Sequence, residues 1–177
     1  LQTMDQFLHI YISEILLQKD FALESYSNFL TALSTQKSPK QCLYHIHHFL
    51  VHTSNIIKIL FPDNKPKNPG NIFIQERAAK LRKEFRLSES DFDINEIGVR
   101  NDFEHYDERI DFWVKESKNH DFSDINIMPP GAISGIAVKD MFRDLDPQSK
   151  ILSFCGKEYN LNYLKNFLED KIKQNIT

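Results

Sequence analysis

Apolar residues recur every three to four positions over most of residues 1–118, the spacing of helices that bury one face. The first such stretch predicts a helix from about Met4 to Thr35 that buries Phe7, Leu8, Ile12, Ile15, Leu16, Phe29, Leu30 and Leu33. A second runs from about Pro39 to Leu60 with Leu43, Ile46, Phe49, Leu50, Ile57 and Leu60 inward. Thr3-Met4-Asp5-Gln6 and Ser38-Pro39-Lys40-Gln41 read as capping boxes, the latter with proline at the favoured first helical position. The short connection between the two helices favours an antiparallel pair. Three prolines and a glycine in Phe61–Gly70 predict a loop, followed by a shorter helix from about Ile74 to Arg86. Ser88 or Asp91 caps the next helix, from about Ile94 to Lys118, with Gly98 inside it.

The pattern changes after Asn119. Pro129-Pro130-Gly131 and Gly135 interrupt helical spacing, and Met141–Leu145 and Lys150–Phe154 read as strands around Asp146-Pro147-Gln148-Ser149. Gly156-Lys157 offers a second tight turn, and Asn160 caps a last helix carrying Leu161, Leu164, Phe167, Leu168 and Ile172 on one side. The expected fold class is mainly α: an antiparallel bundle of four to five helices over 1–118, with a β-hairpin and C-terminal helix over 119–177 packed on the same domain.

Composition narrows the function. At 177 residues, the chain suits one hydrophobic core, and 41% hydrophobic with 27% charged residues is ordinary for a globular protein. A net charge of −3 argues against a polyanion binder relying on bulk positive charge. Arg77, Lys80, Arg82, Lys83 and Arg86 cluster, yet they spread around a helix, as a solvated face or a local phosphate contact. Cys42 and Cys155 match no metal or redox spacing and read as buried thiols, without a disulfide, in a reducing cytoplasm. Apolar runs such as Ile56–Phe61 are far shorter than a membrane span. No secretion signal is recognisable, and the start at Leu1 leaves room for an upstream piece.

Candidate chemistry gathers in Ile97–Trp113, where Arg100 and His105 stand without a metal motif. On a continuous helix, Val99, Phe103, Tyr106, Ile110, Trp113 and Val114 form a core stripe, while Asn101, His105 and Glu108 point away. Phe112 falls on that polar side and calls for a second packed surface, such as another subunit. Arg-x4-His is a loose pattern, and Asp102, Glu104 and Glu108 offer Arg100 and His105 ordinary ion pairs. His45, His48 and His52 make another stripe, with His47 to one side, read as helix packing or interface. The His48–His52 spacing suits zinc, but no nearby carboxylate or cysteine completes a set in sequence. Trp113 and the phenylalanines read as packing. No nucleophilic triad and no glycine-rich phosphate loop is recognisable, which argues against a kinase, a Rossmann enzyme and a serine hydrolase.

The order of helices, with Arg100-Asn101-Asp102-Phe103-Glu104-His105 on a late one, resembles the HEPN superfamily over about residues 1–118. The resemblance implies a metal-independent endoribonuclease without a cofactor, acting as a homodimer whose paired motifs form one composite site, in a toxin–antitoxin or phage-defence setting. RNA would be cut through its 2′-hydroxyl, with His105 as general acid or base, Arg100 on the scissile phosphate and Asn101 orienting the imidazole or contacting phosphate. On one helix, Arg100 and His105 stand about 140° and 7.5 Å apart, so two motifs about a dyad make a better site than one. Arg77, Lys80, Lys83, His48 and His52 are the candidate RNA contacts outside the motif. The alternative is a non-catalytic HEPN-like dimer that binds a nucleotide or protein partner. Some HEPN toxins carry a tyrosine two positions after the histidine, which a nucleotidyltransferase antitoxin modifies; here that position is Asp107, with Tyr106 one place earlier.

Overall fold

A computed structural model describes residues 4–62, 69–92 and 105–173. Helix α1 (Leu8–Ser34) follows a single 3-10 turn at Met4–Phe7, and α2 (Pro39–Leu60) has the predicted bounds. Ser38 caps α2 as its sequence implies: its hydroxyl accepts from the Gln41 amide at 3.4 Å, and Pro39 takes the first helical position. Thr3 lies outside the described residues. Gln36, at φ 52°, reverses the chain, and the Lys37 amide closes the turn on the Ala32 carbonyl at 2.9 Å. Tyr26 meets Phe49 and Phe21 meets His52, so the two helices run antiparallel.

Helix α3 (Pro69–Glu84) begins five residues before the expected Ile74 and takes in the Pro69-Gly70 pair read as loop. Proline suits a first helical turn because it gives up an amide that has no intrahelical partner there. Two arginines of α3 close the C-terminal end of α2. Arg82 donates to the Leu60 carbonyl at 2.6 Å, and Arg77 to Ile59 at 3.3 Å. The late helix, α4, is Tyr106–Glu116, shorter than the expected Ile94–Lys118. His105 is its N-cap, with φ −110° and ψ 43°, so no single helix continues through that residue. Residues 93–104, with Gly98, Val99, Arg100, Asn101 and Phe103, lie outside the described residues.

The C-terminal part holds a four-stranded sheet where a β-hairpin was expected. Strands β2 (Arg143–Leu145), β3 (Ile151–Phe154) and β4 (Lys157–Asn160) are antiparallel neighbours, and β1 (Asn126–Ile127) pairs parallel with β2. The β3–β4 turn falls on Cys155-Gly156, one residue before the expected Gly156-Lys157. Both residues have positive φ, 49° and 83°, as a tight two-residue hairpin demands, while Lys157 pairs with Phe154 in the ladder. Helix α5 (Leu161–Lys171) is capped by Asn160, whose side chain accepts from the Tyr163 amide at 3.0 Å.

One hydrophobic cluster joins Ile15, Phe29, Phe49 and Leu60 of the long helices to Phe142, Leu152, Phe154 and Leu168 of the C-terminal part. All six inward residues expected on α2 are buried. Phe7, at the end of the 3-10 turn, and Leu30 of α1 are each 39% exposed, because the buried line runs through Ile15, Ala22, Tyr26 and Phe29 and leaves those two outside it. The stripe of α4 is displaced as well. The helix docks through Tyr106, Arg109, Trp113 and the buried Ser117, leaving Ile110 and Val114, both expected in the core, 38% and 51% exposed.

Candidate functional site

Helix α4 is held at both ends. At its start, the Tyr106 ring meets Phe142 and Phe154, with centroids 5.9 and 5.6 Å away, and the Arg143 guanidinium lies 5.0 Å from its centroid. Arg143 Nη2 donates to the Tyr106 hydroxyl at 3.1 Å, and burial, the largest cause, raises the phenol above its ordinary value. Asp124 fixes Arg143 in turn, accepting from Nε at 2.8 Å and from Nη2, so the fork is bidentate. Near the other end, Trp113 Nε1 donates to Asp140 Oδ1 at 2.8 Å, and that carboxylate is only 2% exposed. His120 covers the Trp113 ring edge-on, and its Nε2 donates to the Val114 carbonyl at 3.0 Å.

This scaffold presents His105 at the exposed tip of α4. Its Nδ1 lies 3.3 Å from Glu108 Oε1, one helical turn on, and both side chains are more than half exposed. Contact through Nδ1 leaves Nε2 for a substrate. Phe112, two turns on, shares the His105 flank of the helix and is 63% exposed, while Ile110 and Val114 are exposed on the opposite side. Arg100 and Asn101, the other two motif residues, lie outside the described residues.

Beside this flank is a cleft of about 150 Å³ whose walls include Arg109, Phe112, Trp113, Lys139 and Lys157. Three cations and three aromatic rings, the third being Phe154, with Glu116 the acidic residue among the lining side chains, make it better suited to a polyanion than the α3 cluster. Sequence reasoning missed it because Lys139 and Lys157 are remote from α4 in the chain. Only Arg109, four residues after His105, carried a signal.

The other candidate RNA contacts are dispersed. Arg77 is turned inward to Ile59 and lies over the Tyr11 ring at 5.2 Å, while Lys83 is exposed and Lys80 half-buried. His52 is wedged between α1 and α2. Its Nδ1 donates to Gln18 Oε1 at 2.8 Å, its ring meets Phe21, and burial lowers its pKa, assisted by neighbouring His48. His48 donates from Nδ1 to the Tyr44 carbonyl at 2.8 Å, and its ring lies 4.2 Å from that of Tyr44. His45 meets the same tyrosine edge-on, so the histidine stripe organises around packing rings. Among the described residues, no three His, Cys, Asp or Glu side chains gather as a metal-holding group. No helix among them is long and apolar enough to cross a membrane.

Neither a protein-family model, nor a curated protein, nor a solved structure matches this chain.

Proposed function

We propose that this chain is a metal-independent endoribonuclease of HEPN type, acting as a homodimer whose site is completed across the interface. One observation carries this reading: an exposed histidine caps α4 on the same flank as Phe112, a large aromatic that stands 63% exposed. A second copy laid on that flank brings two His105 side chains toward one groove, since a twofold contact uses the same patch twice.

Each composite site then has an imidazole available to take the proton of the RNA 2′-hydroxyl and another to return one to the departing 5′-oxygen. The 2′-oxygen bonds to phosphorus, the phosphorus–5′-oxygen bond breaks, and the products are a 2′,3′-cyclic phosphate and a free 5′-hydroxyl. Glu108 holds His105 by Nδ1, Arg100 steadies the phosphate, and Asn101 helps orient the ring. Lys139, Lys157 and Arg109 extend the cationic track along α4. A toxin–antitoxin or phage-defence role fits such an activity, with an antitoxin, such as a nucleotidyltransferase, restraining it.

The competing reading is a non-catalytic dimer that binds a nucleotide or protein partner. Asp107 and Glu108 in the first turn of α4 favour it, because they set negative charge beside His105. The two separate on single-stranded RNA in EDTA. The parent should cleave RNA and spare DNA, and His105→Ala should lose about 10²- to 10⁴-fold in rate. Intact RNA with the parent, or equal cleavage by the variant, removes the nuclease reading.

A further inference from the structure

A second cleft, of about 280 Å³, opens between α2 and the sheet. Lys40, Tyr44 and His47 stand on one face of α2 at helical spacing, and Arg143 of β2 faces them with Ile125. Leu43 and Ile46 complete an apolar wall. We propose that this cleft binds a small phosphate monoester, with the phosphate on Lys40, His47 and Arg143 and a compact apolar or aromatic body against Tyr44, Leu43, Ile46 and Ile125.

The charges decide the ligand class. Lys40 brings one positive charge, whereas that of Arg143 is already balanced by Asp124. His47 lies half-buried, and burial first, then His48 and Arg143, lowers its pKa and keeps the ring uncharged at neutral pH. A monoester dianion reverses that balance: Lys40 meets one of its charges, and a proton taken up by His47 meets the other. A carboxylate needs only Lys40. The bonds of Arg143 to Asp124 and Tyr106 run through Nε and Nη2, so the Nη1 hydrogens can serve the ligand. The volume falls just below the roughly 300 Å³ at which drug-sized sites begin, so the ligand is a metabolite-sized ester.

Phenyl phosphate is the probe, titrated into the full chain at neutral pH while the His47 imidazole nitrogens are followed by NMR. Saturable protonation of His47 is expected, with phenyl phosphate binding about tenfold tighter than benzoate or inorganic phosphate. Lys40 is exposed, so Lys40→Gln should keep the parent melting temperature and weaken binding roughly fivefold. His47→Gln, read by calorimetry, should weaken it comparably. His105→Ala should bind as the parent does, whether or not the parent cleaves RNA, so this site stands or falls apart from the nuclease reading. An unmoved His47, equal affinity for benzoate, or undiminished binding by Lys40→Gln overturns the proposal.

Discussion

His52 shows what one half-buried titratable side chain does to this molecule. The imidazole lies between α1 and α2, with its Nδ1 proton on Gln18 and its ring against Phe21. Protonation there brings an uncompensated charge beside His48, and burial makes that charge costlier, so the folded pKa lies below the ordinary value. Between the folded and unfolded values the unfolded chain binds more protons, and stability rises with pH. The contribution is therefore complete above about pH 6.5 and is lost as the pH falls through the folded value. Urea unfolding of the parent and His52→Gln should show this directly: the parent loses more stability than the variant between pH 7 and pH 5. A pH dependence unchanged by the substitution would show that His52 is not the titrating group. The sequence placed His52 on a stripe with His45 and His48 but could not choose its role, because Gln18 and Phe21, which decide it, lie more than thirty residues away.

At the scale of elements, α4 matters most, and it teaches how far periodicity reaches. The bounds of α2 were legible because Ser38 and Pro39 state its start and Phe61-Pro62 its end, and its buried positions keep one register. Helix α4 has no such start signal at His105, where the backbone leaves helical geometry without a side-chain cap bond. Its docking is decided by partners far along the chain: Arg143 takes Tyr106, and Asp140 takes Trp113. Those two anchors set the helix so that Ile110 and Val114 are left exposed on one side of the docked face, while Phe112 stands uncovered on the other, the His105 flank. Strand β1 escaped notice for a related reason, since two residues carry no alternation and are ordered only by pairing with β2. If the flank is the dimer face, Phe112→Asp should yield a folded monomer. Burial of a phenylalanine is worth up to about 3 kcal/mol, and a twofold interface loses the residue twice. Sedimentation of parent and variant tests this, and RNA cleavage should fall with the dimer. A parent that sediments as a monomer at every concentration rules out the composite site.

Across the whole molecule, the C-terminal part is joined to the long helices by more than the shared core. Lys19 of α1 donates to the Ile172 carbonyl at 2.6 Å, and Tyr26 donates to Asn162 at 2.5 Å. These contacts fix α5 along α1. The end of α5 is held a second time, where Lys171 Nζ meets Asp91 Oδ1 at 2.7 Å, eighty residues away in sequence. Lys171 is the chief cause of the strongly lowered Asp91 carboxylate, followed by the amide and hydroxyl of Ser88. Asp91 therefore serves two elements, capping the short turn at Glu89–Asp91 through Ser88 and anchoring α5 through Lys171. A lowered carboxylate favours the fold above its unfolded pKa of about 3.9, and that contribution disappears as the pH falls through the folded value. Asp91→Asn should thus be less stable than the parent by a constant margin from pH 5 to pH 8, and the margin should narrow as the pH falls below about 4. Added salt should reduce the margin at neutral pH only in part, because screening weakens the attraction to Lys171 but leaves the hydrogen bonds from Ser88 in place. A margin that salt abolishes would reduce Asp91 to a surface charge, whereas one that persists unchanged at low pH would trace its effect to packing instead of ionisation.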